Sequence, residues 1–385
     1  MNRKFKQLKK KRKTKTFKKL WKPFKDILPE TPPLVSRGDR PLQMTFEDQL
    51  KALVFFHLEG LNSGTHLVQI LEKDDFAHEN IAPEDGIKKS SFFEAINTRG
   101  LEQLIFVFTQ LQTRATKAIP MEFERLGNLV AIDGSLIDAV LSMTWADYRD
   151  GAKKAKIHLG FDINRSIPTK LFLTDGKAAE RPFVSQILSD SQTGVLDRGY
   201  QCHKLFDQWQ EDGIQFLCRI KASTNKKIIK QHHCDPNSIV FYDAIVLLGT
   251  PSINQTTKPI RVVGYEVDGV KYWIATNRYD LAAEDIALIY KLRWEIEKFF
   301  AWWKRQMKVY HLIARSEHGL MVQILSGLIT YLLLSIYCQE NYNEKVSIRR
   351  VREICIQIQN ESHELSGCYQ KNIRKISRYR RAAKS

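Results

Sequence analysis

Cysteine is scarce and shows no pairing pattern: Cys202, Cys218, Cys234, Cys338, Cys355 and Cys368 are scattered through 385 residues without one C-x-x-C pair. That argues against a disulfide framework and fits reduced thiols in a cytosolic compartment. His232, His233 and Cys234 stand together, but no second pair of ligands lies at zinc-binding spacing, so a metal role for them is not expected. Acid is missing from the start of the chain. Residues 1–28 carry thirteen Lys or Arg, and the first acidic residue is Asp26. No apolar core follows this basic opening, so a secretory signal is not expected. Long hydrophobic runs are lacking too. The nearest approach, residues 320–337 (LMVQILSGLITYLLLSIY), reaches membrane-spanning length only by including Gln323, Ser326, Gly327, Thr330 and Ser335. It reads as a buried core helix, and no membrane partner is expected.

What the chain has in excess is positive charge. The formal net charge is +17 and the pI about 9.5, a field that favours a polyanion and nucleic acid first. Hydrophobic residues make up 43% of the sequence, enough for two or three domains with a sizeable core.

Taken in order, residues 1–40 read as a basic disordered arm and linker. Their lysines are expected to meet a DNA backbone, and a Pro-rich stretch closes the segment. Residues 41–118 follow helical periodicity and suggest a small DNA-binding domain, with a short helix over 88–100 capped by Ser90 or Ser91. At Gly127 the pattern changes to strands. Residues 129–132 form a buried strand ending at Asp133, two strands follow over 156–164 and 169–176, and another ends at Asp197. Strands alternating with helices predict an α/β catalytic domain over 119–340, built on a mixed sheet. A β-rich insertion at about 224–280 contains the hairpin turn Asp268-Gly269. Asp280 is placed to cap the helix after it. Residues 341–385 read as a basic helical tail.

Residues 286–307, IALIYKLRWEIEKFFAWWKRQM, predict one amphipathic helix. Ile289, Leu292, Ile296, Phe299, Phe300, Trp303 and Met307 form its apolar stripe. Tyr290, Arg293, Glu297 and Lys304 stack beside that stripe at separations of three, four and seven residues. A carboxylate flanked by Arg, Lys and Tyr suits a metal ligand next to phosphate-binding groups. Asp133 and Asp197, each at the end of an apolar strand, supply the other carboxylates that two-metal phosphoryl transfer needs.

The ordered set AIDGS (131–135), LDRGY (196–200) and Tyr290-x2-Arg293-x3-Glu297-x6-Lys304 resembles the DDE transposases of the insertion-sequence-four family, whose Y-x2-R-x3-E-x6-K signature is met at every position. The resemblance spans roughly residues 45–340, and AINTR (95–99) is similar to the family's N-terminal region. It implies an RNase H-like core with a β insertion before the last catalytic helix. Asp133, Asp197 and Glu297 would be the catalytic, metal-binding triad, holding Mg2+ as two ions with Mn2+ able to substitute. Tyr290, Arg293, Lys304 and Arg198 would bind DNA, and Trp273 or Trp294 would stack on a flipped base. The implied activity is cut-and-paste transposition: cleavage at transposon ends, then strand transfer into target DNA. The implied partners are the terminal inverted repeats, target DNA and a second copy in a synaptic homodimer, in the cytoplasm at the nucleoid. The alternatives are a metal-dependent nuclease of the same fold without strand transfer and an inactive DNA-binding relative.

Overall fold

The structure, a computed structural model, describes residues 15–34, 42, 44–83 and 86–361. Chain contacts divide it into two compact units: Ile119–Ala301, and the described residues on either side of that span.

The first unit is helical. Its N-terminal part comprises α1 (Lys15–Ile27), α2 (Phe46–Leu58), α3 (Gly64–Lys73), α4 (Asp75–Asn80), α5 (Lys89–Thr98) and α6 (Leu101–Ala118). The expectation of disorder fails for residues 15–27. Phe17, Leu20, Trp21, Phe24 and Ile27 recur at helical spacing and are buried, while the lysines between them face outward. Residues 1–14 and the basic tail beyond 361 lie outside the described residues. The predicted caps Ser90 and Ser91 fall inside the first turn of α5, whose N-cap is Lys88.

The long apolar segment forms α11 (Glu317–Tyr342), packed against α1, α2, α5 and α6. Among the described residues it is one helix long and apolar enough to cross a membrane, and 94% of its apolar window is buried inside the protein. Its polar residues are satisfied there. Gln323 accepts from the Ile313 N–H at 3.0 Å and donates to the Val309 and His311 carbonyls, and Thr330 and Ser335 donate to carbonyls one turn back. His57 bonds the Met307 carbonyl through Nδ1 at 2.6 Å and pairs with the Ser326 hydroxyl through Nε2 at 3.0 Å. Burial pushes its pKa down to about 4, so it stays a neutral core residue at neutral pH. A last helix, α12, covers residues 348–361. The packing therefore divides the chain at Ala118/Ile119 and Ala301/Trp302, and it groups α11 with the N-terminal helices instead of with the strands.

The second unit is a mixed α/β assembly. Among the described residues nine strands form one sheet, in the order β3-β2-β1-β4-β5-β9-β8-β7-β6. The strands are β1 (Asn128–Asp138), β2 (Lys154–Asp162), β3 (Ile167–Asp175), β4 (Gln192–Leu196), β5 (Gln215–Arg219), β6 (Lys226–Gln231), β7 (Val240–Leu248), β8 (Ile260–Val267) and β9 (Val270–Thr276), with α7 (Val184–Ile187) before β4 and α8 (His203–Glu211) before β5. β1, β2 and β3 form an antiparallel meander, while β4 and β5 run parallel to β1 on its other side. Strands β6 to β9 extend the sheet, because β9 pairs antiparallel with β5. Asp268 and Gly269 both have positive φ, 50° and 74°, between the paired Val267 and Val270, as a two-residue hairpin requires.

Buried polar pairs fasten the insertion to the segment leading into the next helix. Arg261 donates from Nε and Nη2 to the two oxygens of Asp243 at 2.9 and 2.8 Å, and from Nη1 to the Leu281 carbonyl at 2.6 Å. Asp280 does not cap that helix. It pairs with the nearly buried Arg278, and α9 (Ala283–Leu292) opens on Ala282 with no side-chain cap. The predicted single helix over 286–307 is two, α9 and α10 (Trp294–Gln306), joined at Arg293. Bonds of i+3 type there, Arg293 N–H to Tyr290 O and Ile296 N–H to Arg293 O at 3.2 Å each, tighten the turn. Six of the seven stripe residues are buried as expected, and Leu292 is half-buried.

Candidate active site

β1 and β4 place the two aspartates. Their last paired residues are Ile132 and Leu196, so Asp133 and Asp197 follow where the parallel pairing stops, on strands about 4.8 Å apart. β1 does not end at Asp133 as expected. It runs on to Asp138 paired with β2 alone, which frees one edge of the strand at the aspartate. Asp197 caps the short 3-10 turn Arg198–Tyr200 by accepting from the Gly199 N–H at 2.8 Å, and Asp133 accepts from the Gly134 N–H at the same distance.

The aspartates share a crowded electrostatic field. Burial pushes Asp133 up to about 7. The Arg293 guanidinium opposes that rise, and the carboxylates of Asp197 and Glu180 add to it. Arg293 also donates to Glu297 Oε1 at 2.5 Å, and its guanidinium lies 5.7 Å from the centre of the Tyr290 ring. Burial disfavours the charged guanidinium, but Tyr290, Glu297 and Asp133 outweigh this and hold its pKa above the ordinary value. Arg293 thus pairs with the helix carboxylate and reaches the strand carboxylate through its charge alone, while its own Nε is buried without a partner. With Glu297 committed to Arg293, no three His, Cys, Asp or Glu side chains among the described residues converge closely enough to hold an ion as they stand.

Several residues of this centre carry no signal in the sequence. The charge of Glu180 acts on Asp133, and the charges of both aspartates act on Tyr200. Burial drives the Tyr200 phenol far up, and Glu180, Asp133 and Asp197 each add to it. Arg219 sits 4.7 Å over the Tyr272 ring, and Tyr272 lies 6.3 Å from Tyr290, continuing the cation–aromatic line that ends at Arg293. Arg181 donates twice to the Gly199 carbonyl and so anchors the turn after Asp197.

Of the remaining predicted residues, Arg198 is exposed on that turn. It lines a cleft of about 1090 Å³ with Asp197, Arg181, Lys204, Lys221 and Asn225. Trp294 is 59% exposed. Trp273 is not free: Lys226 Nζ lies 4.2 Å over its ring, and Phe241 and Tyr242 meet it edge-on at 5.2 and 5.1 Å. Lys304 lies beyond Ala301 on α10 and belongs to the helical unit. His232, His233 and Cys234 occupy the β6–β7 connection and form no metal group among the described residues. Cys202, Cys218, Cys234, Cys338 and Cys355 are free thiols, and Cys368 lies outside the described residues.

Residues 124–333, more than half of the sequence, match the family model of the transposase DDE domain. The chain is 27% identical over 209 residues to a Geobacillus stearothermophilus protein named as a transposase for insertion sequence element IS5377, covering 54% of this chain and 55% of that one. It is also 27% identical over 206 residues to a Sinorhizobium fredii protein named as a transposase (y4zB), covering 51% of this chain and 57% of that one. The chain therefore spans little more than half the length of the curated relatives it matches. The span matched by the family model contains both aspartates, Arg293 and Glu297: this chain belongs to the transposase DDE domain family.

Proposed function

We propose that the protein is a DNA transposase that cuts at the ends of its element and joins them to target DNA, with Asp133, Asp197 and Glu297 as catalytic carboxylates. The observation that carries this reading is the placement of Asp133 and Asp197 directly after the last paired residues of two neighbouring parallel strands, with Arg293 paired to Glu297 and its charge acting on Asp133. The strand order β3-β2-β1-β4-β5, an antiparallel meander followed by two parallel strands, supports an RNase H-like core for the first five strands. The full Y-x2-R-x3-E-x6-K spacing supports placement in the insertion-sequence-four family.

The donor set fits a hard divalent cation, being all oxygen and carrying a charge cost that a cation relieves, because the Asp197 charge adds to the burial that disfavours ionised Asp133. Asp133, Asp197 and Glu297 would hold two Mg2+, or Mn2+ in their place. When bound, the ions lower the pKa of a coordinated water and neutralise phosphate charge. Arg293, with its unpaired Nε, is suited to take a phosphate oxygen, and Tyr290 beneath it fixes its direction. Arg198 and Lys221 in the cleft next to Asp197 are suited to the backbone of a DNA strand, as Lys204 is. Lys304 is proposed as a further phosphate contact. The exposed Trp294 is better disposed to stack on an extruded base than Trp273, from which Lys226 would first have to move. Two ends to be joined imply two active sites, hence a synaptic homodimer on duplex DNA.

The test uses the inverted repeats that flank the coding region as labelled duplex ends, incubated with the protein, a supercoiled plasmid and Mg2+. Label covalently joined to the plasmid is the expected product. Cut ends without joined product would replace the proposal with a nuclease. Binding without cutting would replace it with an inactive DNA-binding relative.

A further inference from the structure

Arg181 stands beside Asp197 without a carboxylate of its own. It opens the short turn Arg181–Phe183 in the connection between β3 and β4, and it is exposed. Its guanidinium is nevertheless fixed. Nε and Nη2 donate to the Gly199 carbonyl at 3.1 and 3.0 Å. The N–H of the same glycine donates to Asp197 Oδ1 at 2.8 Å. One residue, Gly199, therefore joins the guanidinium to the Asp197 carboxylate. A guanidinium has two edges that each present a pair of parallel N–H groups, and Gly199 occupies the one formed by Nε and Nη2. The second edge, formed by Nη1 and Nη2, is left for another acceptor.

The surroundings of that edge are cationic. Arg181 lines the cleft of about 1090 Å³ together with Asp197, Arg198, Lys204 and Lys221. None of these four cations is paired with a carboxylate among the described residues. The other acid of the cleft, Asp207, is committed to its wall. It accepts from the Thr257 N–H and hydroxyl at 2.8 and 2.9 Å and from the Lys258 N–H at 3.0 Å. Four cations held together against their mutual repulsion make a site for a polyanion.

We infer that Arg181 binds a DNA phosphate with its free edge, and that Gly199 ties the position of this phosphate to that of the Asp197 carboxylate. This rests on the reading of the cleft as a DNA site and of Asp197 as catalytic. Because the guanidinium is already held, it loses little freedom when the phosphate arrives, and it presents that phosphate at a set distance from the carboxylate. A lysine at this position would keep the charge and lose the double grip, since one ammonium has no second edge.

The experiment measures the affinity of the full chain for a labelled duplex end by fluorescence anisotropy in chelator, over a series of salt concentrations. Arg181→Gln is expected to flatten the slope of log affinity against log salt by about 0.9, the contribution of one duplex phosphate contact. Loss of folded protein would lower affinity by the same factor at every salt and leave the slope unchanged, so a merely structural arginine cannot give this result. Arg198→Gln separates the two levels of the argument. A slope flattened in Arg198→Gln but not in Arg181→Gln overturns the role of Arg181 and leaves the cleft as a DNA site. Wild-type slopes in both overturn both. Arg181→Lys tests the tie to Asp197. It is expected to keep the wild-type slope yet cut a saturating DNA end in Mg2+ about ten- to a hundredfold more slowly. Cutting at the wild-type rate by Arg181→Lys would overturn that tie.

Discussion

Asp133→Asn, Asp197→Asn and Glu297→Gln are each expected to reduce end cleavage by about a thousandfold or more, with affinity for the DNA end nearly unchanged. Each change removes one negative charge at almost constant size. What distinguishes a catalytic loss from a folding loss is the stability expected of each variant. Asp133 is held against its preference for water, so the asparagine should melt no lower than wild type in chelator, and higher where the carboxylate is ionised. Asn caps a turn about as well as Asp, so Asp197→Asn should keep its bond from the Gly199 N–H and its stability. Glu297→Gln weakens the partner of a mostly buried guanidinium and should cost a modest amount of stability. A wild-type cleavage rate in any of the three removes that residue from the triad. A matching drop in melting temperature and activity would reassign it to structure.

Asp243→Ala is expected to destabilise the protein by about 3–5 kcal/mol, because it strands a charge in the interior. Arg261 and Asp243 have side-chain exposures of only 9% and 8%, and both carboxylate oxygens are used by the guanidinium. The same arginine reaches the Leu281 carbonyl just before α9, so the pair sets the entry of the helix that carries Tyr290. Urea unfolding gives the cost. Replacing both partners with apolar residues of similar volume should recover most of it, since no unpaired charge then remains. A cost below about 1 kcal/mol for the single change would show that water reaches Arg261 freely.

The carboxylates of the candidate site were legible because each sits on a pattern with one physical meaning. An apolar run that ends in Asp marks a buried strand whose edge opens there. Tyr290, Arg293 and Glu297 were legible through helical spacing, which survives the break at Arg293 because the backbone stays right-handed there, with φ −52° and ψ −31°. The break itself has no Pro or Gly to announce it. Glu180 was illegible for the opposite reason: it lies in a polar connection, and only folding brings it onto Gly134. Asp243 and Arg261 are eighteen residues apart on two strands, and their separation says nothing of their pairing. In residues 15–27 two signals competed. The lysine run and the internal Pro23 argued for a solvated arm, whereas Phe17, Leu20, Trp21 and Phe24 drew the outline of a buried helical face. Apolar burial won, because lysines on the opposite side of a helix remain in water at little cost. The Ala301/Trp302 division was hidden within a single helix, α10, where composition does not change.

The central claim is that these carboxylates bring a divalent cation onto the scissile phosphate. Replacing one non-bridging oxygen of that phosphate with sulfur tests it, because Mg2+ strongly prefers oxygen whereas Mn2+ accepts the softer sulfur. The predicted result is a cleavage rate that falls steeply in Mg2+ for one sulfur stereoisomer and returns when Mn2+ is supplied, with the all-oxygen end cut well in both metals. An equal sulfur effect in Mg2+ and Mn2+ would contradict it.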